Sequence, residues 1–489
     1  MRDVTATRRA VTMLVPIVGA MLALGSCATN PVTGGADFVL MSEAQEIQLG
    51  RSGDPKIRAQ YGVYDDAKLQ AYVQRVGEGI AAKSHRPTLI YRFTVLDSPD
   101  VNAFALPGGY IYITRGIMAY LNSEAELAAV LGHEVGHVTA RHSVRQYSAA
   151  TAGQLLTSVF LGSQAAQNLI GVLGQALLSG YGRDQEIEAD RLGALYLARS
   201  HYDPEAMIDV VGVLKNQEEF EKQRAKAEAR EPHNYHGVFA SHPSADQRLQ
   251  EVVAEARKDK TSITVRRERD AYLQEIDGMV YGDSAQSGIR KGSAFYHRDM
   301  NFAVQFPQGW RLENAPDAVT AQSPDRDALM RLQVEDLNEH QSPEEYLKAR
   351  LKGNTLRDGA PLPGITPPSY SGLVTANTPF GRRDVRTSVI FRDNRAFLFL
   401  AVAKTDNVAQ QYREALIEPV RNLHSLTPAE KRVAEGLRVR VVQASGRETF
   451  AQLAKTIPVT TYAESVLRLI NDKYPAGEPT PGQSIKVIQ

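Results

Sequence analysis

His133-Glu134-Val135-Gly136-His137 is the stretch from which the rest of this 489-residue chain is best understood. Two histidines four residues apart lie on one face of an α-helix, because a helix completes a turn every ~3.6 residues. Both imidazoles can then reach one Zn²⁺, and the glutamate beside the first histidine can take a proton from a water at the metal. The stretch therefore predicts a metal-binding helix with a general base beside the metal.

The residues before this stretch favour a helix that begins after Ser123. The run from Glu124 to Leu131 combines strong helix formers with apolar residues at helical spacing. Ser123 is a good N-cap, and Glu126 occupies the capping-box position. The alternative is a buried helix that carries two ordinary histidines. That alternative is less favourable, because two histidines and a glutamate are costly to bury without partners.

A third metal ligand must come from elsewhere in the chain. One class of zinc protease extends the motif as H-E-x-x-H-x-x-G-x-x-H, but Ala140 and Ser143 stand where that pattern needs glycine and histidine. A later helix-prone stretch offers carboxylates instead. Glu186 and Asp190 are four residues apart and share a helix face, whereas Glu188 points away from it. Glu186 can thus bind the metal while Asp190 orients a ligand histidine. A solvated acidic face is the alternative.

These motifs make the chain resemble the metallopeptidases related to the prenyl-CAAX endoprotease, which carry H-E-x-x-H followed by E-x-x-A-D. Three further segments resemble the bacterial lipoprotein branch of that family: Asn30 to Gly34 followed by Phe38 to Glu43, Asn102 to Gly109, and Ser241-His242-Pro243 with Arg248 beyond it. The resemblance covers residues 30–260. It implies a mainly α-helical zincin protease domain with a small β-sheet. It also implies one Zn²⁺ per chain, held by His133, His137 and Glu186, with Glu134 as the general base.

The segment just upstream of the metal helix predicts a β-strand. Gly109 to Thr114 alternates and is rich in β-branched and aromatic residues, and it follows a turn made by Pro107 and a glycine pair. Such a strand could hold an extended substrate by β-augmentation, with Gly109, Tyr110 and Ile111 as the substrate-binding residues. An ordinary core strand is the alternative.

His242 has three open roles. It could donate to the developing oxyanion as a catalytic residue, fill the fourth zinc position, or be a surface histidine in the turn made by Pro243. Arg248 is a second candidate for contact with a carbonyl or carboxylate, although an arginine there is more often solvated. His142 lies off the ligand face by its spacing.

The first 27 residues predict a signal peptide that ends in a lipobox. A basic start is followed by an apolar run from Ala10 to Leu24 and by Leu24-Gly25-Ser26-Cys27. Cys27 would be acylated, so that the chain is anchored by lipid without a spanning helix. An uncleaved anchor is less favoured, because the apolar run is short for a span. The absence of aspartate after the cysteine, where Ala28 stands, indicates the periplasmic side of the outer membrane.

Composition limits the other partners. Cys27 is the single cysteine, so no disulfide can form within the chain and no other thiolate can serve catalysis. The 56 basic and 56 acidic residues give a net charge of zero, which argues against nucleic acid as a partner.

The chain as a whole predicts an α+β multidomain protein. After the signal at residues 1–27 we expect a metallopeptidase domain at 28–275, a small α+β domain at 290–428 with a long Pro-rich loop at Gly359 to Gly372, and a β-α-α-β module at 435–489. The ending of that module resembles LysM, which binds cell-wall glycan; packing against the protease is the alternative. An uncharged stretch from Thr151 to Gly180 suggests a lid over the active site, or else a surface for membrane or client segments.

Two functions are compatible with these features. The first is a zinc endopeptidase of the bacterial envelope that acts on misfolded or unassembled outer-membrane proteins, with the membrane and peptidoglycan as further contacts. The second is a chaperone or cell-wall adaptor whose zinc site is closed and mainly structural.

Overall fold

The computed structural model describes residues 27–39, 41–148, 181–228, 250, 252–256, 265–351, 354–366, 368–459 and 461–489. The chain divides into two compact units: unit 1, which comprises Met1–Tyr281 with Arg438–Gln489, and unit 2, Gly282–Leu437. The chain combines helices with several β-sheets, as the sequence predicts. Arg438–Gln489, which covers most of the module expected at 435–489, belongs to the same unit as the metal helix.

Unit 1 is mainly helical. Its elements, in chain order, are β1 (Cys27–Thr29), β2 (Ala36–Phe38), α1 (Glu43–Tyr61), α2 (Ala67–Ala81), β3 (Arg92–Leu96), β4 (Ala103–Leu106), β5 (Tyr110–Thr114), α3 (Arg115–Tyr120), α4 (Glu124–Thr139), α5 (Arg183–Arg199), α6 (Ala206–Ala227), α7 (Arg269–Ile276) and β6 (Val280–Tyr281). Strands β3, β5 and β4 form a sheet in that order, with β5 parallel to β3 and antiparallel to β4.

Helix α4 forms the centre of unit 1. All of its residues from Ala125 to Thr139 are buried, including the two histidines of the motif. Helix α5 packs directly along α4, and glycines make this approach possible. A Cβ atom at Gly136 would lie 2.8 Å from the carbonyl oxygen of Ala189, and one at Gly193 would lie 3.1 Å from the backbone nitrogen of His133. Larger side chains at these glycines would push apart the two helices that carry the metal ligands.

The N-terminal helix is attached to the metal helix by a buried ionic cluster. Glu46 on α1 is 1% exposed and accepts hydrogen bonds from Arg86 at 2.8 Å and from Arg141 at 2.9 Å. Arg86 also donates to the carbonyl of Val138, at the end of α4. The backbone N–H of Gly108, in the turn before β5, donates to the same carboxylate at 3.3 Å. The cluster therefore links α1, the end of α4 and the turn before β5.

The C-terminal part of the chain completes unit 1. It contains β17 (Leu437–Gln443), two short helices (Phe450–Leu453 and Ala463–Ile470) and β18 (Ser484–Ile488), and β17 lies between β18 and β6 in one sheet. The predicted β-α-α-β order is present. Lys486 on β18 is fully buried and donates to the carbonyls of Ala119 and Leu121, at 2.8 and 2.6 Å. Its side-chain nitrogen thus binds the end of α3 and the connection to α4.

Unit 2 is dominated by antiparallel strands, as the sequence predicts. Its elements are β7 (Ile289–Lys291), β8 (Ala294–His297), β9 (Phe302–Gln305), β10 (Arg311–Ala315), β11 (Ala318–Gln322), β12 (Ala328–Asp336), α8 (Pro343–Arg350), β13 (Arg357–Ala360), β14 (Ser369–Thr378), β15 (Gly381–Arg392), β16 (Arg395–Ala403), α9 (Asp406–Gln411), α10 (Glu418–Asn422) and α11 (Pro428–Ala434). Strands β10 to β16 form a seven-stranded sheet in the order β10-β11-β12-β16-β15-β14-β13.

The long loop predicted at Gly359 to Gly372 is only partly correct. Strand β13 ends at Ala360 and β14 begins at Ser369, so both ends of the segment pair in the sheet. Proline and glycine occur in the connection between the two strands. Because these residues usually indicate a loop, the composition of the segment did not predict the strands at its ends.

Within the part of the chain that the structure describes, no helix has both the length and the apolar character needed to cross a bilayer. The signal segment before Cys27 and the uncharged stretch from Thr151 to Gly180 lie outside the described residues. Anchoring by lipid and the lid therefore stay predictions.

Candidate metal centre and active site

Helix α4 begins as the sequence predicts. Ser123 is its N-cap, and its hydroxyl accepts a hydrogen bond from the backbone N–H of Glu126 at 3.2 Å. The Glu126 carboxylate accepts from the Ser123 hydroxyl and from the backbone N–H of Asn122. These contacts satisfy donors at the helix start and fix where α4 begins.

Three side chains from two helices converge in the interior of unit 1. The Nε2 atoms of His133 and His137 on α4 lie 2.9 Å apart. Oε2 of Glu186 on α5 lies 3.4 Å from the first and 3.5 Å from the second. All three residues are buried, and in the described residues they form the one group of three or more His, Cys, Asp or Glu side chains able to share a metal ion. The structure thus brings together the ligand set predicted from the sequence.

The other ring nitrogen of His133 is held by Asp190. Nδ1 of His133 lies 2.8 Å from Oδ1 of Asp190, which is one helical turn beyond Glu186 on α5. An ionised carboxylate can only accept a hydrogen bond, so Nδ1 carries the proton. The lone pair of Nε2 is then directed toward Glu186 and His137, as metal binding requires.

A second hydrogen-bonded chain controls His137. Nε2 of His142 lies 3.0 Å from the Glu188 carboxylate, and Nδ1 of His142 lies 2.9 Å from Nδ1 of His137. Burial lowers the pKa of His142, which favours a neutral ring. A neutral His142 that donates from Nε2 must accept at Nδ1, so His137 donates from its own Nδ1. The lone pair of His137 Nε2 is thereby left free for a metal.

Tyr181 also positions His137. Its ring stacks on the imidazole with a centroid distance of 4.0 Å and an interplanar angle of 19°. Its hydroxyl lies 2.6 Å from the hydroxyl of Ser143. The ring of His137 is therefore fixed on one face by stacking and at Nδ1 by a hydrogen bond.

The donor set suits zinc. Two imidazole nitrogens and one carboxylate oxygen are typical of catalytic zinc sites, which keep a further position open for water or substrate. In both histidines Nδ1 is occupied by a protein partner and Nε2 faces the third ligand. The residues present therefore fit Zn²⁺ without a change of tautomer.

Glu134 lies between the two ligand histidines in the sequence and is 3% exposed. Burial raises the pKa of its carboxyl to about 7; the charge of Glu186 also raises it, whereas His133 lowers it. A group whose pKa lies near neutral pH can both accept and return a proton, as a general base and acid must.

The structure corrects the prediction that β5 binds the substrate. Tyr110 and Ile111 lie in β5, the central strand of its sheet, and Gly109 in the turn before it, with β3 and β4 pairing on either side of β5. A strand paired on both edges cannot add a peptide by β-augmentation. Strand β4 lies beside the metal helix and is an edge strand, because β5 is its single neighbour in the sheet.

The backbone groups of β4 can be assigned to its two edges. Thr114 donates its N–H to the carbonyl of Asn102 at 3.0 Å, so residues at Asn102 and every second position after it pair with β5. The N–H and C=O groups of Ala103 and Ala105 therefore point to the other edge. Both alanines are at most 3% exposed, so this edge is covered in the structure.

Two predicted site residues lie outside the described part of the chain, and three residues of the site were not predicted from the sequence. His242 and Arg248 lie outside the described residues, and their roles stay predictions. The sequence did not predict that His142 and Tyr181 would contact His137, or that Glu188 would hold His142. The Arg141-His142 pair directly after the metal helix was the available signal, but its partner on α5 depends on helix packing that the sequence does not reveal.

A buried His₂Glu centre on two packed helices, with a glutamate beside the first histidine, is the arrangement expected of a catalytic zinc site. Residues 67–256 match the family model described as Peptidase family M48. This match, together with the curated relatives below, supports a metalloendopeptidase with zinc as its metal. The class of enzyme and the cofactor predicted from the sequence are thereby confirmed.

Curated relatives match part of the chain. The beta-barrel assembly-enhancing protease of Escherichia coli is 27% identical over 260 residues, which cover 51% of each chain. The mitochondrial metalloendopeptidase OMA1 of Arabidopsis thaliana is 32% identical over 187 residues, 37% of this chain and 38% of that protein. OMA1 of Schizosaccharomyces pombe is 30% identical over 234 residues, 45% and 64% respectively. The chain thus spans about half the length of the first curated relatives it matches.

Proposed function

We propose that this protein is a zinc-dependent endopeptidase of the bacterial envelope that hydrolyses misfolded or unassembled outer-membrane proteins. The observation that carries the proposal is the convergence of His133, His137 and Glu186 next to Glu134 on the buried helix α4. The curated relatives named as endopeptidases support the reaction. A relative named as a protease that enhances β-barrel assembly supports the substrate class.

The residues of the chain divide the chemical work. Zinc, when bound, supplies a Lewis acid that polarises the scissile carbonyl and lowers the pKa of a water. Glu134 takes a proton from the attacking water and returns it to the leaving amine. Asp190 holds His133, and the Glu188–His142 pair holds His137, so that each ligand ring keeps one tautomer and one orientation through the reaction.

The substrate would be held at β4. An extended peptide that pairs with the outer edge of this strand would exchange backbone hydrogen bonds with Ala103 and Ala105 and lie next to α4. Because that edge and the ligand side chains are buried, opening of the site would have to come before substrate binding. Access, not the chemistry of the metal centre, would then regulate the enzyme.

The N-terminal segment would place the enzyme at the membrane. A lipobox at Leu24 to Cys27 supports acylation of Cys27 and attachment to the periplasmic face of the outer membrane. Substituting Cys27→Ala should then release the protein from the membrane fraction and abolish incorporation of labelled palmitate. Membrane association that persists without labelling would contradict the anchor.

A second candidate is an adaptor or chaperone with a closed zinc site, because the site is nearly inaccessible in this structure. The His133, His137 and Glu186 side chains are 2–5% exposed. An adaptor would need zinc for folding but would not need the proton-accepting carboxylate. Its contact with peptidoglycan would run through the C-terminal strands, which resemble LysM.

Cells that accumulate an unassembled outer-membrane β-barrel protein separate the two candidates. A strain that lacks this protein is complemented with the wild type, with Glu134→Gln or with Glu124→Gln, a control on the same helix. The peptidase predicts that Glu134→Gln stabilises the unassembled protein while the control restores its turnover. Equal turnover with all three would favour the adaptor.

A further inference from the structure

Unit 2 contains a cavity of about 350 Å³ on one face of its seven-stranded sheet. Leu373 on β14, Arg386 on β15 and Ala401 on β16 line its floor. They are direct partners in neighbouring strands and so form one row across the sheet. Ala409 and Leu416, from the segment after β16, form the opposite wall. The volume falls within the range of about 300–1,000 Å³ that is usual for small-ligand pockets.

Arg386 is the charged group on this floor. It is half-buried, and its Nη1 lies 3.5 Å from the Ser371 hydroxyl, at the limit of a hydrogen bond. The Ser371 hydroxyl is itself hydrogen-bonded to the hydroxyl of Ser388, with 2.8 Å between the oxygens. Among the residues that the structure describes, no carboxylate forms an ion pair with Arg386. A guanidinium that lines a cavity without a counter-ion favours an anionic ligand.

The rim of the cavity adds positive charge. Arg383 and Arg413 line it together with Asp384 and Asp406. Asp384 is already paired at 2.5 Å with Arg357, a residue that does not line the cavity. The hydrogen bonds from Thr375 and Arg357 lower the pKa of Asp384, so it stays ionised and committed to that pair. The lining therefore has an excess of positive charge.

We propose that this cavity binds the C-terminal residue of a peptide. The α-carboxylate would pair with the guanidinium of Arg386, whose two parallel N–H groups match a carboxylate. The apolar side chain of the same residue would lie between the floor at Leu373 and Ala401 and the wall at Leu416. The choice of a peptide rests on the proposed function, because hydrolysis of a peptide bond liberates a free α-carboxylate. Unit 2 would then capture products or substrate C-termini.

Calorimetric titration of the full chain tests this proposal. The chain carries Glu134→Gln so that the probe stays intact, and the probe is acetyl-Gly-Gly-Leu with a free carboxylate. The matched probe carries a C-terminal amide, and inorganic phosphate is titrated separately. We expect the amide and phosphate to bind at least tenfold more weakly than the free acid. Equal binding of the amide, or phosphate binding as tight as the peptide, would overturn the proposal.

Variants of the residues that line the cavity test where the free-acid peptide binds. Arg386→Met removes the guanidinium, and Ala401→Leu fills the cavity while it keeps the charge; each should raise the Kd for the free acid at least tenfold. Arg382→Gln, on the same strand but outside the lining, should leave the Kd unchanged. Thermal unfolding checks that each variant folds. If Arg386→Met does not fold, the exposed rim variant Arg413→Gln decides, with a severalfold rise expected.

Unchanged binding in the folded variants at Arg386 and Ala401 would overturn the site. Because hydrolysis is blocked in every titration, a failure to bind leaves the proposed peptidase activity untouched. Conversely, if the protein proves not to be a peptidase, the affinity measured for the free-acid peptide would still stand.

Discussion

Nδ1 of His137 lies 2.9 Å from Nδ1 of His142, and this contact places a residue outside the H-E-x-x-H motif in control of a metal ligand. His142 is held in turn by Glu188 on the other helix. Glu186 and Glu188 on α5 thus act on opposite sides of the same histidine: one shares the metal site with His137, and the other fixes the proton on its far nitrogen.

We therefore predict that Glu188→Gln and His142→Ala both weaken zinc binding. A lost partner of a ligand histidine typically costs about 10- to 100-fold in metal affinity, because the ring is no longer held in one tautomer. Competition with a chelator of known affinity measures the effect. Asp184→Asn, an exposed carboxylate on the same helix, is the control and should bind zinc like the wild type. Wild-type affinity in both variants would refute the hydrogen-bonded chain.

Asp190 should tolerate an amide better than a truncation. Asparagine can still accept the hydrogen bond from Nδ1 of His133, whereas alanine cannot. We expect Asp190→Ala to lower zinc affinity by about 10- to 100-fold and Asp190→Asn to lower it less. The same chelator competition ranks the two variants. If both lose affinity equally, the negative charge of Asp190 matters and not its role as an acceptor.

The ionic cluster at Glu46 should stabilise unit 1. Substituting Glu46→Gln leaves Arg141 buried without a counter-charge and leaves Arg86 with only the exposed Glu43, which should lower the free energy of unfolding by about 3–5 kcal/mol. Glu43→Gln is a matched control, because Glu43 is 62% exposed and lies 3.5 Å from the same Arg86. Its effect should stay below about 1 kcal/mol. Denaturant unfolding gives both values, and a similar small effect at both positions would refute the structural role of the cluster.

The C-terminal strands should be needed for the stability of the metallopeptidase unit. Lys486→Met leaves the carbonyls of Ala119 and Leu121 buried without their donor, and we expect a loss of about 2 kcal/mol or more. Removal of residues 438–489 should lower the unfolding temperature of unit 1 much further. Arg447→Gln, in a loop of the same segment, is the control. An unchanged unfolding temperature after the truncation would show that the segment is an independent module.

The local parts of the site could be predicted from the sequence, and the nonlocal parts could not. The spacing of His133 and His137 places both on one helix face whatever surrounds them, and the same holds for Glu186 and Asp190. Whether β5 lies at the edge or the centre of its sheet depends on its pairing with β3, in which partners such as Arg92 and Tyr110 are 18 residues apart. Its sequence is equally compatible with either position.

The sequence also did not predict which charged residues are buried. Lys486 alternates with apolar residues in a short strand, a pattern that ordinarily predicts a solvent-facing lysine. It is buried because the end of α3 and the connection to α4 each present a carbonyl to it. The contact of His142 with His137 has a similar origin, since it depends on the turn that follows α4.

The most direct test measures zinc content and casein hydrolysis together, for the purified wild type and for Glu134→Gln. Glutamine keeps the size of the side chain and leaves His133, His137 and Glu186 in place, but it cannot accept the proton. We expect about one zinc per chain in both proteins and hydrolysis in the wild type alone. One zinc per chain with equal hydrolysis in both proteins, or with none in either, would contradict a peptidase that depends on Glu134.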